Sequence, residues 1–178
     1  MGTHIQGPSE ANAAIKVTYN MESKRLQTAK KYISHFETLD SDTLASVLAP
    51  DHTHQFAPAS LAFPGPFSRP QFLEHSAVLR QVMTGFPVRA KEYIESESSN
   101  QVTVWATARP RFREEVLAGE EDREKWEFEG EYVFMFWMDE TGGKIVRTVE
   151  FLDSKGTEYG LRPLLKRANE KMQAQHWF

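Results

Sequence analysis

"EYVFMFWMDETGGKIVRTVEFLDS", residues 131–154, alternates side chains of different character on both sides of a glycine turn. A repeat of two is that of a β-strand, and "ETGG" between two such runs reads as a hairpin. The stretch predicts two long antiparallel strands, the first reaching back through "WEFEGEYVFMFWMD" and the second covering "KIVRTVEFLDS". Alternation also sorts the faces. Phe128, Gly130, Tyr132, Phe134 and Phe136 share one side of the first strand; Glu127, Glu129, Glu131, Val133, Met135 and Trp137 share the other. The first set suits a concave lining. The second begins charged and ends apolar, which suits a contact between two subunits. A bulge would exchange the sets locally and bring Glu131 to a cavity rim. On the second strand Thr148, Glu150 and Leu152 share a face.

Two more strands precede these, "VRAKEYIES" and "QVTVWATARPRF", joined by the turn "SSN". Pro110 predicts an edge or a bulge in the latter. The acidic run "REEVLAGEEDREK" between strands reads as a solvated loop. Further upstream the period becomes helical. Leu26, Ala29, Ile33 and Phe36, with Tyr32 beside them, mark a helix from Glu22. "LDSDTLASVLAPD" gives a second short helix, capped by Asp40 or Ser41 and ended by Pro50. "HTHQFAP" is a short strand, and "SLAFPGPFSRP" a loop with three prolines and a glycine in eleven residues. A third helix starts at Pro70, carries Phe72, Leu73, Ser76, Leu79, Arg80 and Met83, and stops before Gly85 and Pro87. Tyr159, Leu161, Leu164, Leu165, Ala168 and Met172 mark a C-terminal helix. Residues 1–20 are expected to form a mobile arm, and residues 21–178 one domain. The fold class is α+β: a strongly curved antiparallel sheet wrapped around the N-terminal helices, a cone with an internal pocket.

Composition narrows the function. A net charge of −4 argues against a nucleic-acid partner. The absence of cysteine excludes disulfides and thiolate catalysis. No apolar run has the length of a membrane span and no h-region opens the chain, so a cytoplasmic protein is expected. The surplus of rings (12 Phe, 5 Tyr, 4 Trp) either fills an aromatic core or lines a cavity for a flat organic ligand.

In "DHTHQFAPAS", residues 51–60, His52 and His54 point to one side of a strand. They read as metal ligands awaiting a third from His75, Glu150 or another side chain, as a catalytic base, or as the lining of a pocket. With no evident third ligand, the wall of a pocket is the better reading, His54 deeper and His52 nearer the rim. Neither metal nor cofactor is expected.

The element order, and the stretches "AKKYISHFETLDSDTLASVLAPD", "HTHQFAPASL" and "EYVFMFWMDETGGKIVRTVEFLDS", resemble the SnoaL-like group of the nuclear-transport-factor-two-like (cystatin-like cone) superfamily. The likeness runs over roughly residues 22–175 and is strongest to members from fungal secondary-metabolite pathways. It implies a small, cofactor-free, often dimeric protein with an aromatic cone. Some of that group isomerise, cyclise, dehydrate or rearrange polyketides, terpenoids or alkaloids; others have no known catalysis. Set beside the ketosteroid-isomerase branch, Tyr32 falls at an oxyanion-binding tyrosine, while Phe56 and Phe134 replace its two acids.

The resemblance also turns the face of Glu150 into the cone. Desolvation would raise the pKa of that carboxyl and make it an acid or base near neutrality. Its rival role is an ion pair with Arg80, Arg109 or Arg111. His54 is the second acid–base candidate, and Tyr32 and Tyr132 are candidates for binding a ligand oxygen. Phe56, Phe63, Arg80, Trp105, Phe128, Glu131, Phe134, Thr148 and Leu152 are the expected ligand contacts, with Phe67 and the segment Pro58–Pro70 covering the mouth. The expected activity is acid–base isomerisation or cyclisation of an aromatic or polycyclic natural product. The alternatives are a non-catalytic binder or dimerisation module on the same cone, and a dehydratase. The expected partners are a small hydrophobic or aromatic metabolite and a second copy of the chain, paired through the outer sheet face.

Overall fold

Helix α1, Lys24–His35, starts where the Ser23 side chain accepts a hydrogen bond from the Leu26 amide at 3.0 Å. Its apolar face buries Ala29, Tyr32 and Ile33. The computed structural model describes residues 22–175, so the arm expected over residues 1–20 lies outside the described residues. Asp40 caps helix α2, Ser41–Val47, by accepting from the Thr43 amide at 2.9 Å. The chain then passes directly into strand β1, Leu48–Ala57. Pro50 therefore sits inside a strand rather than at a helix end. The pairing of β1 is irregular between Leu48 and Thr53, which accommodates a residue with no N–H to donate.

After β1 come β2 (Phe67–Ser68), α3 (Arg69–Leu79), β3 (Met83–Gly85), β4 (Val88–Ser96) and β5 (Gln101–Ala108). They are followed by β6 (Arg111–Phe112), α4 (Glu114–Leu117), β7 (Gly130–Met138) and β8 (Ile145–Leu152). A helical turn α5 (Ser154–Gly156), a π-turn over Thr157–Leu161 and helix α6 (Arg162–Gln175) end the described chain. The main sheet is six-stranded, in the order β2-β1-β8-β7-β5-β4. Its barrel is not closed. The pairing is antiparallel except between β1 and β8, which run parallel, so the sheet is mixed rather than wholly antiparallel. A parallel pair needs a long crossover, and nearly all of the domain separates these strands.

Three further expectations change. Helix α3 stops at Leu79, and Met83 lies in β3, which pairs with β6. The cause is tertiary: the Phe86 amide donates to the Phe36 carbonyl at 2.8 Å and draws the chain across the end of α1. Strand β7 begins at Gly130, because Arg123–Trp126 forms a 3-10 turn that buries Trp126. The acidic run keeps most of its charges in solvent as expected, with Glu114, Glu115 and Glu121 exposed, but it folds into helical turns braced on the core instead of a loop. Val116 is buried, and Glu120 accepts from Arg167 at 2.5 Å and from Lys171 at 2.7 Å, both on α6. Pro110 separates β5 from β6, in keeping with its expected place at an interruption.

The β7–β8 hairpin forms as read. The Asp139 carboxylate accepts from the amides of Gly143 (2.9 Å) and Lys144 (3.1 Å), and Gly142 takes φ +70°. Thr28 of α1 donates to the Gly142 carbonyl at 2.8 Å, which docks the turn on the helix. The concave face of the sheet carries Val102, Val104, Tyr132, Phe134, Phe136 and Leu152, all buried. Tyr32 reaches from α1 into this layer, its ring centroid 4.7 Å from that of Phe136 and 6.3 Å from that of Phe134. Among the described residues no helix is long and apolar enough to cross a membrane.

The close approach of β3 to α1 gives a test of this packing. A Cβ at Gly85 would stand 2.2 Å from the Glu37 carbonyl oxygen, which is backbone and cannot turn aside. Gly85→Ala is expected to destabilise the fold by about 1–3 kcal/mol, read as a lower urea midpoint in equilibrium unfolding.

Candidate active site

A cavity of about 100 Å³ opens between the concave sheet face and the helices. His35, Phe36 and Leu39 close it from the end of α1; Phe72, His75, Ser76 and Leu79 from α3; Leu161 and Leu165 from the C-terminal helix. The sheet contributes Phe56, Tyr132, Glu150 and Leu152. Phe63 comes from the loop after β1, where the Arg162 guanidinium lies 4.7 Å from its ring centroid and donates to the Leu61 carbonyl.

Glu150 is the polar centre of this space. In register it lies between Phe56 of β1 and Phe134 of β7, so rings flank it on both neighbouring strands. Its Oε2 is 3.2 Å from Nε2 of His54. Desolvation pushes the Glu150 carboxyl up to about 8, opposed by the nearby His75, and pushes the His54 imidazole down to about 3. The pair is therefore neutral near pH 7, with the proton on the carboxyl, and both ring nitrogens of His54 are buried without a hydrogen-bond partner. His54 does not line the cavity. The Phe72 ring stacks over it at a 3.7 Å centroid distance and 11°, and His54 borders three of the residues that line the cavity, Phe56, Phe72 and Glu150.

Tyr132 lines the cavity and its buried hydroxyl has no hydrogen-bond partner in the protein. Burial drives its pKa upward, which keeps the phenol protonated as a donor. Tyr32 also has a buried, unpartnered hydroxyl, but it packs beneath the cavity rather than in its wall.

Phe56, Phe63 and Leu152 line the cavity, and other expected contacts lie elsewhere. Phe134 is core, its ring stacked between those of Tyr132 and Phe136. Thr148 is sealed under His52, whose Nε2 is 3.0 Å from its hydroxyl oxygen. His52 is thus fully buried rather than at the rim. Trp105 is on the outer face, 42% exposed, where its indole donates to Glu131 at 2.6 Å and Lys91 covers its ring. Glu131 is exposed beside it and pairs with Lys91, so no bulge turns it inward. Phe128 precedes β7 and packs against Gly130 and Gly160, lining a separate surface groove with Trp126. Arg80 is exposed at the end of α3, its carbonyl accepting from Arg113 at 2.7 Å. The ion-pair role for Glu150 also fails, since Arg109 pairs with Glu129 at 2.7 Å and Arg111 with Glu37 at 2.6 Å. No group of three His, Asp or Glu among the described residues is placed to hold a metal ion.

Three polar residues that sequence reading did not assign to the pocket wall belong to it: His35, His75 and Ser76. His35 follows Tyr32 by three positions on α1, a spacing that puts both on one helix face and could have flagged it. On α3, His75 and Ser76 follow Phe72 by three and four positions, the same one-turn spacing, and Ser76 belongs to the periodic face of that helix.

Among solved structures, AusH from Aspergillus nidulans superposes with a TM-score of 0.62 at 22% identity, over 74% of this chain and 84% of that one. BvnE pinacolase from Penicillium brevicompactum gives 0.65 at 18% identity, over 87% and 97%. An NTF2-like protein of unknown function from Burkholderia pseudomallei gives 0.59 at 16% identity, over 76% and 95%. The fold is the nuclear-transport-factor-two-like cone. No protein-family profile matches the sequence, and no curated protein matches it. The cone fold thus joins this chain to its neighbours through shape at low sequence identity.

The Glu150 carboxyl makes stability depend on pH. Its folded pKa of about 8 lies above the ordinary 4.5, so between those values the folded chain holds a proton that the unfolded chain has released. That contribution is fully present below about 4.5 and is lost as pH rises through about 8. Lowering of the His54 pKa from 6.5 to about 3 acts with the opposite sign over that lower range. Glu150→Gln removes the first effect alone. The variant is expected to gain stability relative to the parent as pH is raised from about 4.5 to about 8, followed by urea unfolding at each pH.

Proposed function

We propose that this protein is a cofactor-independent isomerase or cyclase acting by acid–base chemistry on an aromatic or polycyclic natural-product intermediate. The observation that carries this reading is the Glu150 carboxyl, enclosed among rings with His54 at 3.2 Å. A carboxylic acid that keeps its proton near neutrality can deliver it to a ligand oxygen or carbon. An isomerisation returns a proton to the same group, so one carboxyl suffices and the balance closes. Tyr132 donates a hydrogen bond to the ligand oxygen on which charge develops. His54 backs the carboxyl at 3.2 Å without a hydrogen bond to it, which leaves the acid's proton for the ligand. The name of BvnE, a pinacolase, supports a catalytic use of this fold.

One observation favours a second reading, a non-catalytic binder or dimerisation module. Phe36, Phe56, Phe63, Phe72 and Phe86 crowd the cavity down to about 100 Å³, which holds about one ring, whereas drug-sized ligands fill about 300–1,000 Å³. On the enzyme reading a polycyclic substrate places only its reacting ring inside, and Phe63 with its loop moves aside for the remainder.

The outer face supports the proposed homodimer. Trp105, Val133 and Phe151 stand side by side across β5, β7 and β8, with Trp105 42% and Phe151 45% exposed. Ile94 on β4 adds a further exposed apolar side chain. If this row is the dimer seam, Phe151→Arg yields a monomer in sedimentation velocity, while an unchanged parental monomer would refute it.

Turnover is tested on the metabolite that accumulates when the gene is deleted, identified by mass spectrometry. Glu150→Gln is expected to lower kcat at least ~100-fold. The parent enzyme's kcat is expected to fall as pH rises past about 8, where the acid ionises. Full activity of Glu150→Gln would leave the binder reading standing.

A further inference from the structure

His35 ends α1 with its side chain in the cavity wall. Its Nδ1 lies against the Tyr32 carbonyl oxygen, which can only accept, so Nδ1 carries the ring proton. Nε2 is then a bare lone pair. It is fully buried and finds no donor in the protein. The Ser76 hydroxyl, in the wall of the same cavity, is likewise buried without a partner. Leaving such groups unsatisfied is destabilising, and an apolar residue of similar size would avoid that cost. Burial lowers the pKa of His35 to about 4, so the imidazole stays neutral and accepting across the physiological range.

The polar residues in this cavity wall are therefore not equivalent. His35 Nε2 requires a donor from the ligand. The Tyr132 hydroxyl and the protonated Glu150 carboxyl offer donors to a ligand acceptor. We infer that the site takes a hydroxy-ketone on an apolar ring, its hydroxyl donating to His35 Nε2 and its carbonyl oxygen accepting from Tyr132 and Glu150. The inference rests on the acid–base pocket proposed above and adds the substrate class to it. His35 selects for a hydroxyl-bearing ligand. A ketone without that group leaves the imidazole nitrogen unpaired, and discrimination follows from that penalty.

Two probes of equal size separate the possibilities: cyclohexanone bearing a hydroxyl and its isostere bearing a methyl group. In protein labelled with nitrogen-15 at histidine, His35 is expected to show the Nδ1–H tautomer. Its Nε2 resonance should move on titration with the hydroxy-ketone and stay in place with the methyl ketone. His35→Phe is expected to weaken the hydroxy-ketone about tenfold and leave the methyl ketone unchanged. An Nε2–H tautomer in the parent protein would overturn the inference without any variant. Equal affinity of the parent for both probes, or equal losses of both in His35→Phe, would overturn it while the acid–base pocket stands. If the parent binds neither probe, the pocket reading fails and this inference with it.

Discussion

Strand β8 is hydrogen-bonded along both edges, parallel to β1 and antiparallel to β7. A strand held on two sides cannot slip by one residue without exchanging all of its faces. That constraint sends Thr148, Glu150 and Leu152 inward and leaves Phe151 outside. A carboxyl that backbone pairing carries into an apolar space cannot retreat to water. It keeps its proton instead, and desolvation supplies the shift. The chemistry proposed for this protein thus depends on pairing in the sheet before it depends on any side-chain contact.

The aromatic surplus does two jobs at different depths of the cone. Tyr32, Phe134 and Phe136 interlock as core, whereas Phe56, Phe63 and Phe72 form a wall around a small remaining space. A core built for stability alone would be closed by apolar contacts. Here His35, Ser76 and Tyr132, each with a buried polar atom that has no partner, line one cavity, an arrangement that folding alone does not reward. Placement of Glu150 also fits the loss of acids on its neighbours. Phe56 and Phe134, which occupy the positions where the ketosteroid-isomerase resemblance expects acids, flank Glu150 in register. The acid stands on the strand between them.

Much of the cone was legible residue by residue. The 3.6-residue period marked α1, the period of two marked β7 and β8, and Asp40 announced α2. The errors have physical causes. Strand alternation does not extend to Phe128, because it lies before the strand begins at Gly130, in irregular chain with no such rule. A ring alone does not place Trp105 in the pocket wall, since Val104 and Ala106 are the buried neighbours on its strand. Arg80 was placed inside by a helix that in fact ends one residue before it. Glu131 needed a bulge, and β5 and β7 pair without one.

The sequence by itself determined the elements and their faces, because helical and strand periods follow from backbone geometry and require only neighbours in the chain. Tertiary structure alone decided which faces meet. The parallel union of β1 with β8 joins residues as far apart as His52 and Thr148, 96 positions along the chain. From that union comes the contact of His54 with Glu150, and from the docking of α1 and α3 come His35 and Ser76 in the same wall. No local period encodes such meetings. They depend on closing long loops around a shared core, and that closure depends on the whole chain at once.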